Sequence, residues 1–499
     1  MLYLCVQHKF LFMYIQQLYT GCLSEAAYYI ESDGEAAIID PMRDTQAYIE
    51  LAKERKATIK YIFETHFHAD FISGHLDLQK ATGAPIIYGP ETKAGFEVEV
   101  ASDHQIFPLG KCMIEVLHTP GHTLESTCYL LRDEKDQPHA LFTGDTLFVG
   151  DVGRPDLAQK GEELTKEDLA GMLYDSLQSK VVPLPDEVLV YPAHGAGSSC
   201  GKNLGSTTHS TVGEQKRTNY ALQAKNRAEF IKAVTADLPE PPSYFPINAA
   251  MNKKGYEGLD AVLEKAMRPL APKDFQQAGK KDGTWIIDTR DKEIFTRGFV
   301  PGSVFIGLNG RFAEWAGSLI PFDKELLIIT DPGMEQEAMI RLARVGFDKM
   351  TGYLEGGFDV WQKAGLPVDM IIDVESDELA MDLPFDKQLL VLDVRKETEF
   401  GAGHVADAVN IPLPQLLNPL RVAAIEDTDN IYIHCQSGYR SVIGASILKK
   451  QGFHNLRNVL GGWQAIEKES KIPVAVTVIE DQLKEAEQTQ AAKKDSNAE

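Results

Sequence analysis

The chain has no run of 18 consecutive apolar residues, so no segment reads as a membrane-spanning helix. Cysteine is scarce. The six in 499 residues (Cys5, Cys22, Cys112, Cys128, Cys200, Cys435) have spacings that suit neither a disulfide framework nor a zinc knuckle. A reducing compartment with one or two chemically employed thiols is the expectation. Positive charge is also short. Fifty Lys and Arg against 73 Asp and Glu leave a net charge of −23. Such a chain should repel nucleic acid and anionic membrane, and neither is expected as a partner. The first nine residues lack the basic start and long apolar core of a signal peptide, so a cytoplasmic protein is expected. The remaining composition, 43% apolar and 25% charged, is that of a globular chain with room for about three domains.

Against these shortages stands a concentration of metal-binding side chains. Thr65-His66-Phe67-His68-Ala69-Asp70-Phe71 follows the apolar run Ile59–Phe63, which reads as a buried strand. If the chain stays extended, residues two apart project to one side, and His66, His68 and Asp70 share a pocket. Two further pieces follow downstream: His118-Thr119-Pro120-Gly121-His122-Thr123, then Thr143-Gly144-Asp145-Thr146 after another apolar strand. Imidazole and carboxylate arriving on separate loops after strands can build an open metal site. His118 reads as a structural neighbour. Arg154, in Gly153-Arg154-Pro155, is placed either to hold an anionic thiol or to form a salt bridge. Asp33-Gly34 splits two short strands, Ala26–Ile30 and Ala36–Ile39, as a hairpin turn does. The Pro-rich stretch Leu238–Pro242 and then Phe245-Pro246 argues for a linker or an extended wrapping segment.

Beyond it the chain repeats itself. Ile287-Asp288-Thr289-Arg290 recurs as Leu392-Asp393-Val394-Arg395, and Glu355-Gly356-Gly357-Phe358 as Leu460-Gly461-Gly462-Trp463, both 105 positions on. A period this long means two copies of a domain, each alternating β-rich runs with helices around a mostly parallel sheet. In the second copy a strand, Ile431–His434, leads into Cys435-Gln436-Ser437-Gly438-Tyr439-Arg440 and then an amphipathic helix ending near Gly452. Loop amides and the positive helix end can stabilise an anion at sulfur and favour a nucleophilic thiolate. In the first copy Asp331 takes the place of the thiol, and Pro332 removes a loop N–H.

The histidine and aspartate motifs resemble the metallo-β-lactamase superfamily, and more narrowly its glyoxalase II and persulfide dioxygenase branch. The superfamily pattern is His-x-His-x-Asp-His, and Phe71 here replaces the last His. That His normally helps hold a second metal with Asp70 and a late His matched by His194; a phenyl ring has no lone pair to offer, so the second site should be crippled. The resemblance implies His66, His122 and Asp145 as ligands of a single Fe(II), since two His and a carboxylate with open positions suit non-haem iron oxygenases. His68, Asp70 and His194 then line the pocket or hydrogen-bond the ligands. The Cys435 loop and the Gly-Gly-Trp signature resemble the rhodanese family. Tyrosine-phosphatase-like loops are one residue longer, and the smaller cradle suits a persulfide sulfur on Cys435, with Arg440 as a further contact. The first copy resembles an inactive rhodanese domain.

The expected fold class is therefore α/β: a metallo-β-lactamase αββα sandwich followed by two rhodanese-like α/β domains. The expected divisions are 1–250, a linker at 251–270, an inactive copy at 271–370, an active copy at 371–475 and a polar tail at 476–499. Residues 1–12 read as an extension ahead of a domain starting near Met13. The implied activity is a persulfide dioxygenase that oxidises a low-molecular-weight thiol persulfide with O2 to sulfite, coupled to a sulfurtransferase that turns sulfite into thiosulfate. Sulfide detoxification is the implied role. Cys200, six residues after His194, is either a sulfur relay at the metal mouth or a buried bystander. A glyoxalase II-like thioester hydrolase and a non-enzymatic persulfide sensor or sulfur carrier are the alternatives, and a homo-oligomer stays open.

Overall fold

The computed structural model describes residues 7–10, 13–158, 164–202, 204–423 and 425–477. Cys5 and the polar tail from 478 onward lie outside these described residues, as does most of the stretch 1–12; within it Gln7–Phe10 pairs antiparallel with the start of Met13–Thr20. Among the described residues no helix is long and apolar enough to cross a membrane.

The chain divides into two compact units. The first holds two sheets. A seven-stranded sheet runs in chain order from Gln7–Phe10 to Glu99–Val100, and a six-stranded sheet runs from Ile106–Leu109 to Ser210–Thr211. Alternation explains how they meet: Ile15, Tyr28, Ile30, Ile39 and Phe63 from one sheet pack on Ile114, Val116, Tyr129, Leu131 and Phe142 from the other. On the outer face of the first sheet, Tyr48 and Ala52 of helix Gln46–Arg55 and Leu78 of helix His75–Thr82 cover Ala27, Tyr29, Ile38 and Ile62. Helices after residue 165 cover the second sheet through Leu173, Leu177, Phe230 and Val234. The result is an αββα sandwich. Its hairpin at Asp33-Gly34 has φ of 51° and 82°, the double positive turn that Asp-Gly favours.

The span 251–270 is not a linker. Phe245–Lys254 and Leu259–Ala266 are helices, with Pro246 in the first turn of the former, where its missing N–H costs nothing. Asn252 is buried and donates to the backbone carbonyls of His68 and Phe71, at 2.8 and 2.7 Å. This unit also includes two segments from far downstream, Gly310–Phe322 and Met339–Lys349. Arg43, fully buried, anchors the second of them: Nη1 and Nη2 reach the Asp348 carboxylate at 2.6 and 3.0 Å, and Nη1 the Ala343 carbonyl at 2.7 Å. Arg344 forks onto Asp44 at 2.8 and 2.7 Å. Removing one partner of a buried pair leaves the other uncompensated. Arg43→Ala should lower the stability of this unit by about 3 kcal/mol in urea unfolding, while an exposed control such as Lys53→Ala, outside these contacts, should change it little.

The second unit holds the repeat. Two five-stranded sheets have matching orders, and every pairing within them is parallel. The duplicated residues form the same clamp twice. Arg290 chelates Asp288, donates to the Gly298 carbonyl and lies over the Phe358 ring at 4.1 Å. Arg395 does the same with Asp393, Gly403 and Trp463, at 4.5 Å from the ring. A buried arginine paired with a carboxylate and stacked on an aromatic face ties the end of one strand to the Gly-Gly-aromatic turn.

Candidate functional site

Strand Thr58–Phe63 ends at the sheet edge, and residues 64–71 leave it as a series of bends rather than as an extended strand. The two-residue period is lost there. His66, His68 and Asp70 therefore do not converge on one group of donors; each joins a different buried trio. His66 meets His122 and Asp145, His68 meets Asp40 and Glu64, and Asp70 meets His194 and Cys200, with the candidate donor atoms of each trio within 4.8 Å of one another.

The first trio is built to hold a cation. His122 Nδ1 lies 2.9 Å from the Arg154 carbonyl, which can accept only from an N–H, so the proton sits on Nδ1 and Nε2 keeps its lone pair. Thr65 Oγ1 donates to Asp40 at 2.9 Å and so accepts from His66 Nδ1 at 3.0 Å, freeing His66 Nε2 as well. Both Nε2 atoms face Asp145 Oδ2, at 4.0 Å from His66 and 3.5 Å from His122. Neither carboxylate oxygen of Asp145 has a hydrogen-bond partner among the described residues, although both are buried. An orphaned buried carboxylate is costly, and a metal ion between it and two imidazole lone pairs would remove that cost. The donor set fits the implied ion. Burial, with the neighbouring rings of His68, His122 and His194, pushes His66 well below the usual imidazole range and keeps it neutral.

The other two trios surround the first. Burial alone would lower His68, but the carboxylates of Asp40, Glu64 and Asp70 raise it to about 10. It is 3.1 Å from Asp40, its ring lies against His66 at 4.2 Å, and the buried Phe71 ring lies on its other side at 4.4 Å. His68 therefore buttresses His66 as an imidazolium. His194 Nε2 lies 3.3 Å from Asp70 and 3.4 Å from Asp145, linking the third trio to the first. Cys200 is buried beside it, its thiol pushed well up by burial and by Asp70 and Asp145. His118 Nε2 reaches the Leu124 carbonyl at 2.9 Å, a turn contact outside these groups.

Arg154 does not hold a ligand. Its side chain is 1% exposed; Nε and Nη2 fork onto Asp156 at 2.7 and 2.8 Å, and the remaining donors reach the Ser199 and Pro239 carbonyls. Its salt bridge is internal rather than the surface pair that was the alternative expectation, and its contribution to the site is the carbonyl that orients His122.

At the second centre Cys435 is 1% exposed and accepts from the Gly438 N–H at 3.1 Å. Gly438, at φ 95°, turns the chain into helix Tyr439–Lys450. The loop is fixed from behind: Trp463 N–H donates to the Cys435 carbonyl at 2.7 Å and Gln464 N–H to that of Gln436 at 3.2 Å. Arg440 forks onto Glu399 at 2.8 and 2.7 Å, which braces the start of the helix and directs its guanidinium to that carboxylate. His434 is buried behind the loop, its Nδ1 3.3 Å from the Cys435 carbonyl. In the first copy Asp331 and Pro332 are exposed.

Residues 20–194 match the family described as the metallo-beta-lactamase superfamily, and residues 271–364 and 376–469 each match the rhodanese-like domain. The mitochondrial persulfide dioxygenase ETHE1 of Bos taurus is 31% identical over 213 residues, 42% of this chain and 74% of that protein. A probable hydroxyacylglutathione hydrolase, glo2, of Schizosaccharomyces pombe is 28% identical over 228 residues, 40% of this chain and 84% of that protein. A crystal structure described as a metallo-beta-lactamase from Staphylococcus aureus subsp. aureus COL is 35% identical, with a TM-score of 0.62, covering 68% of this chain and 98% of that one. This chain belongs to the metallo-β-lactamase superfamily.

Its superfamily domain is followed by two rhodanese-like domains, and the second of these explains the paired glycines. Gly462, at φ 57°, lies so close to the Cys435 carbonyl that an added Cβ would sit 2.4 Å from the oxygen. If Cys435 transfers sulfur, Gly462→Ala should displace the loop and slow that transfer by about a hundredfold, the scale of an ångström's misplacement. A thiocyanate or thiosulfate assay checks it. In the superfamily domain, Gly153 is equally confined: its Cβ would meet the Asp145 carbonyl at 1.9 Å and His122 Nδ1 at 3.1 Å. Several participants had no motif to reveal them. Asp40, Glu64 and Thr65 act through contacts with the histidines. Glu25, whose carboxyl burial holds well above the usual carboxylate range, pairs along the backbone with His194.

Proposed function

We propose that the metal domain is a mononuclear iron persulfide dioxygenase and that Cys435 is the sulfur carrier of a thiosulfate-forming sulfurtransferase. The observation that carries this is the trio of His66, His122 and Asp145: two imidazoles and one carboxylate, all buried, with no fourth protein donor in the group among the described residues. Phe71, where the superfamily places a further His, supports one metal rather than two. Ferrous iron bound there would activate O2 and offer open positions for O2 and a persulfide anion, the four electrons that reduce O2 coming from the outer sulfur.

The protein's own part is positional. Thr65 and the Arg154 carbonyl hold the two imidazoles in one tautomer, and the His68 imidazolium beside Asp40 fixes the ring of His66. The net reaction takes one persulfide, one O2 and one water to thiol, sulfite and two protons. At the second centre the Cys435 thiolate attacks the outer sulfur of a further persulfide, releasing the carrier thiol. The Gly438 N–H stabilises the anion, and sulfite then takes the sulfur as thiosulfate. Tethering the two centres raises the effective concentration of sulfite at the second. Sulfide detoxification is the role this sequence of reactions fits.

A second reading has its own support. Asp70, His194 and Cys200 form a further donor trio, and the hydroxyacylglutathione hydrolases are relatives of similar identity. Two metals and a thioester hydrolase would follow from it. Oxygen uptake with glutathione persulfide, set against anaerobic cleavage of S-lactoylglutathione, separates them. The dioxygenase reading requires the first and not the second.

A further inference from the structure

We propose that the first rhodanese-like domain, which has no thiol, supplies Arg311 as the specificity-determining residue of the metal pocket, where it holds the oxyanion of the thiol that carries the persulfide. This rests on the dioxygenase reading and identifies the part of the substrate away from sulfur.

A narrow recess opens beside the third donor trio, with Ser24, Asp70, Gly197, Tyr244, Arg311 and Glu314 on its walls. Asp70 connects it to the donors: its carboxylate is 3.3 Å from His194, and His194 is 3.4 Å from Asp145. Arg311 and Glu314 come from the segment Gly310–Phe322, which lies within the span of the first rhodanese-like domain yet belongs to the compact unit of the metal domain. Helix Phe312–Leu319 is pressed onto the recess wall at Gly317, where a Cβ would stand 2.8 Å from the Tyr244 ring.

Arg311 is the one cation lining this recess among the described residues, against the carboxylates of Asp70 and Glu314. Its Nε and Nη2 are aimed by Glu314 and by the Gly197 carbonyl at 3.0 Å, and Glu314 is itself held by Ser199 Oγ at 3.1 Å. Nη1 takes no part in these contacts, and the side chain is 49% exposed. A guanidinium braced on one edge and open on the other presents donors to an oxyanion at little ordering cost. An anionic carrier approaching a chain of net charge −23 needs such a cation at the mouth. A carboxylate and a phosphate both satisfy it.

The test compares wild type and Arg311→Gln with three persulfides: of glutathione (carboxylates), of coenzyme A (phosphates) and of 2-mercaptoethanol (neutral). We expect KM to rise roughly tenfold or more for one or both anionic carriers, the effect of losing one charge-assisted contact. For these kcat should stay within about twofold, and both constants should be unchanged for the neutral carrier. Arg311→Lys should restore part of the loss. A rise with glutathione alone identifies the carboxylate, and a rise with coenzyme A alone the phosphate. An equal loss with all three, or no loss with any, overturns the proposal. Calorimetric titration of the reduced thiols reads the same contact without turnover. If wild type consumes no oxygen with any persulfide, the dioxygenase reading fails. Weaker thiol binding by Arg311→Gln still upholds the anion site, and unchanged or undetectable binding by both proteins removes it.

Discussion

On the dioxygenase reading, His122→Ala is expected to abolish persulfide-dependent oxygen uptake and to leave sulfur transfer at Cys435 intact. The expected fall in uptake is at least a hundredfold, because changes even to groups that only orient a metal ligand cost about 10–100-fold. The geometry makes His122 the more telling of the two imidazoles. It is the closer to Asp145, at 3.5 Å, and its proton is fixed by a backbone carbonyl that no side-chain substitution removes. Bound iron should fall with the activity. His66→Ala should behave similarly, with the added consequence that His68 loses the ring packed 4.2 Å from it. An oxygen electrode and metal analysis on the purified variants check both.

Cys435→Ser has the opposite signature. Oxygen uptake continues at the wild-type rate, sulfite accumulates in step with the oxygen consumed, and thiosulfate formation falls to the uncatalysed rate. Serine keeps the size of the side chain and the Gly438 N–H contact but cannot store sulfur as a persulfide. Chromatography of sulfite and thiosulfate during turnover gives the result directly. Normal thiosulfate formation by this variant would mean that sulfur transfer happens elsewhere, and Cys200, buried beside His194 and Asp70, would be the residue to examine.

What could be read from the sequence was local or repeated. Asp33-Gly34 gave away its hairpin because only a few residue types accept two positive φ values in succession. The Cys435 loop was legible because thiol, glycine and helix are contiguous, and the 105-residue repeat reappears as two Asp–Arg–aromatic clamps. The donor atoms of His66, His122 and Asp145 lie within 4.8 Å of one another. The errors lay where contacts between distant residues decide the outcome. The alternation that put His66, His68 and Asp70 on one face required an extended strand, and the chain bends there instead. Arg154 was left between an anion contact and a surface salt bridge because Asp156, Ser199 and Pro239 meet it only in the folded chain. The supposed linker at 251–270 is helical because Asn252 and its neighbours have a surface to cover. Nothing in the sequence indicated that Asp348 would find Arg43 across 305 positions, or that Arg311 would share a recess with Asp70.

The number and kind of metal ions per chain test the central claim most directly. On protein purified without added metal, elemental analysis should find one iron per chain. That iron should be lost in the Asp145→Asn variant, which keeps the shape of the ligand but removes its charge. Two zinc ions per chain, retained when Asp145 is replaced, would contradict a single ion held by His66, His122 and Asp145.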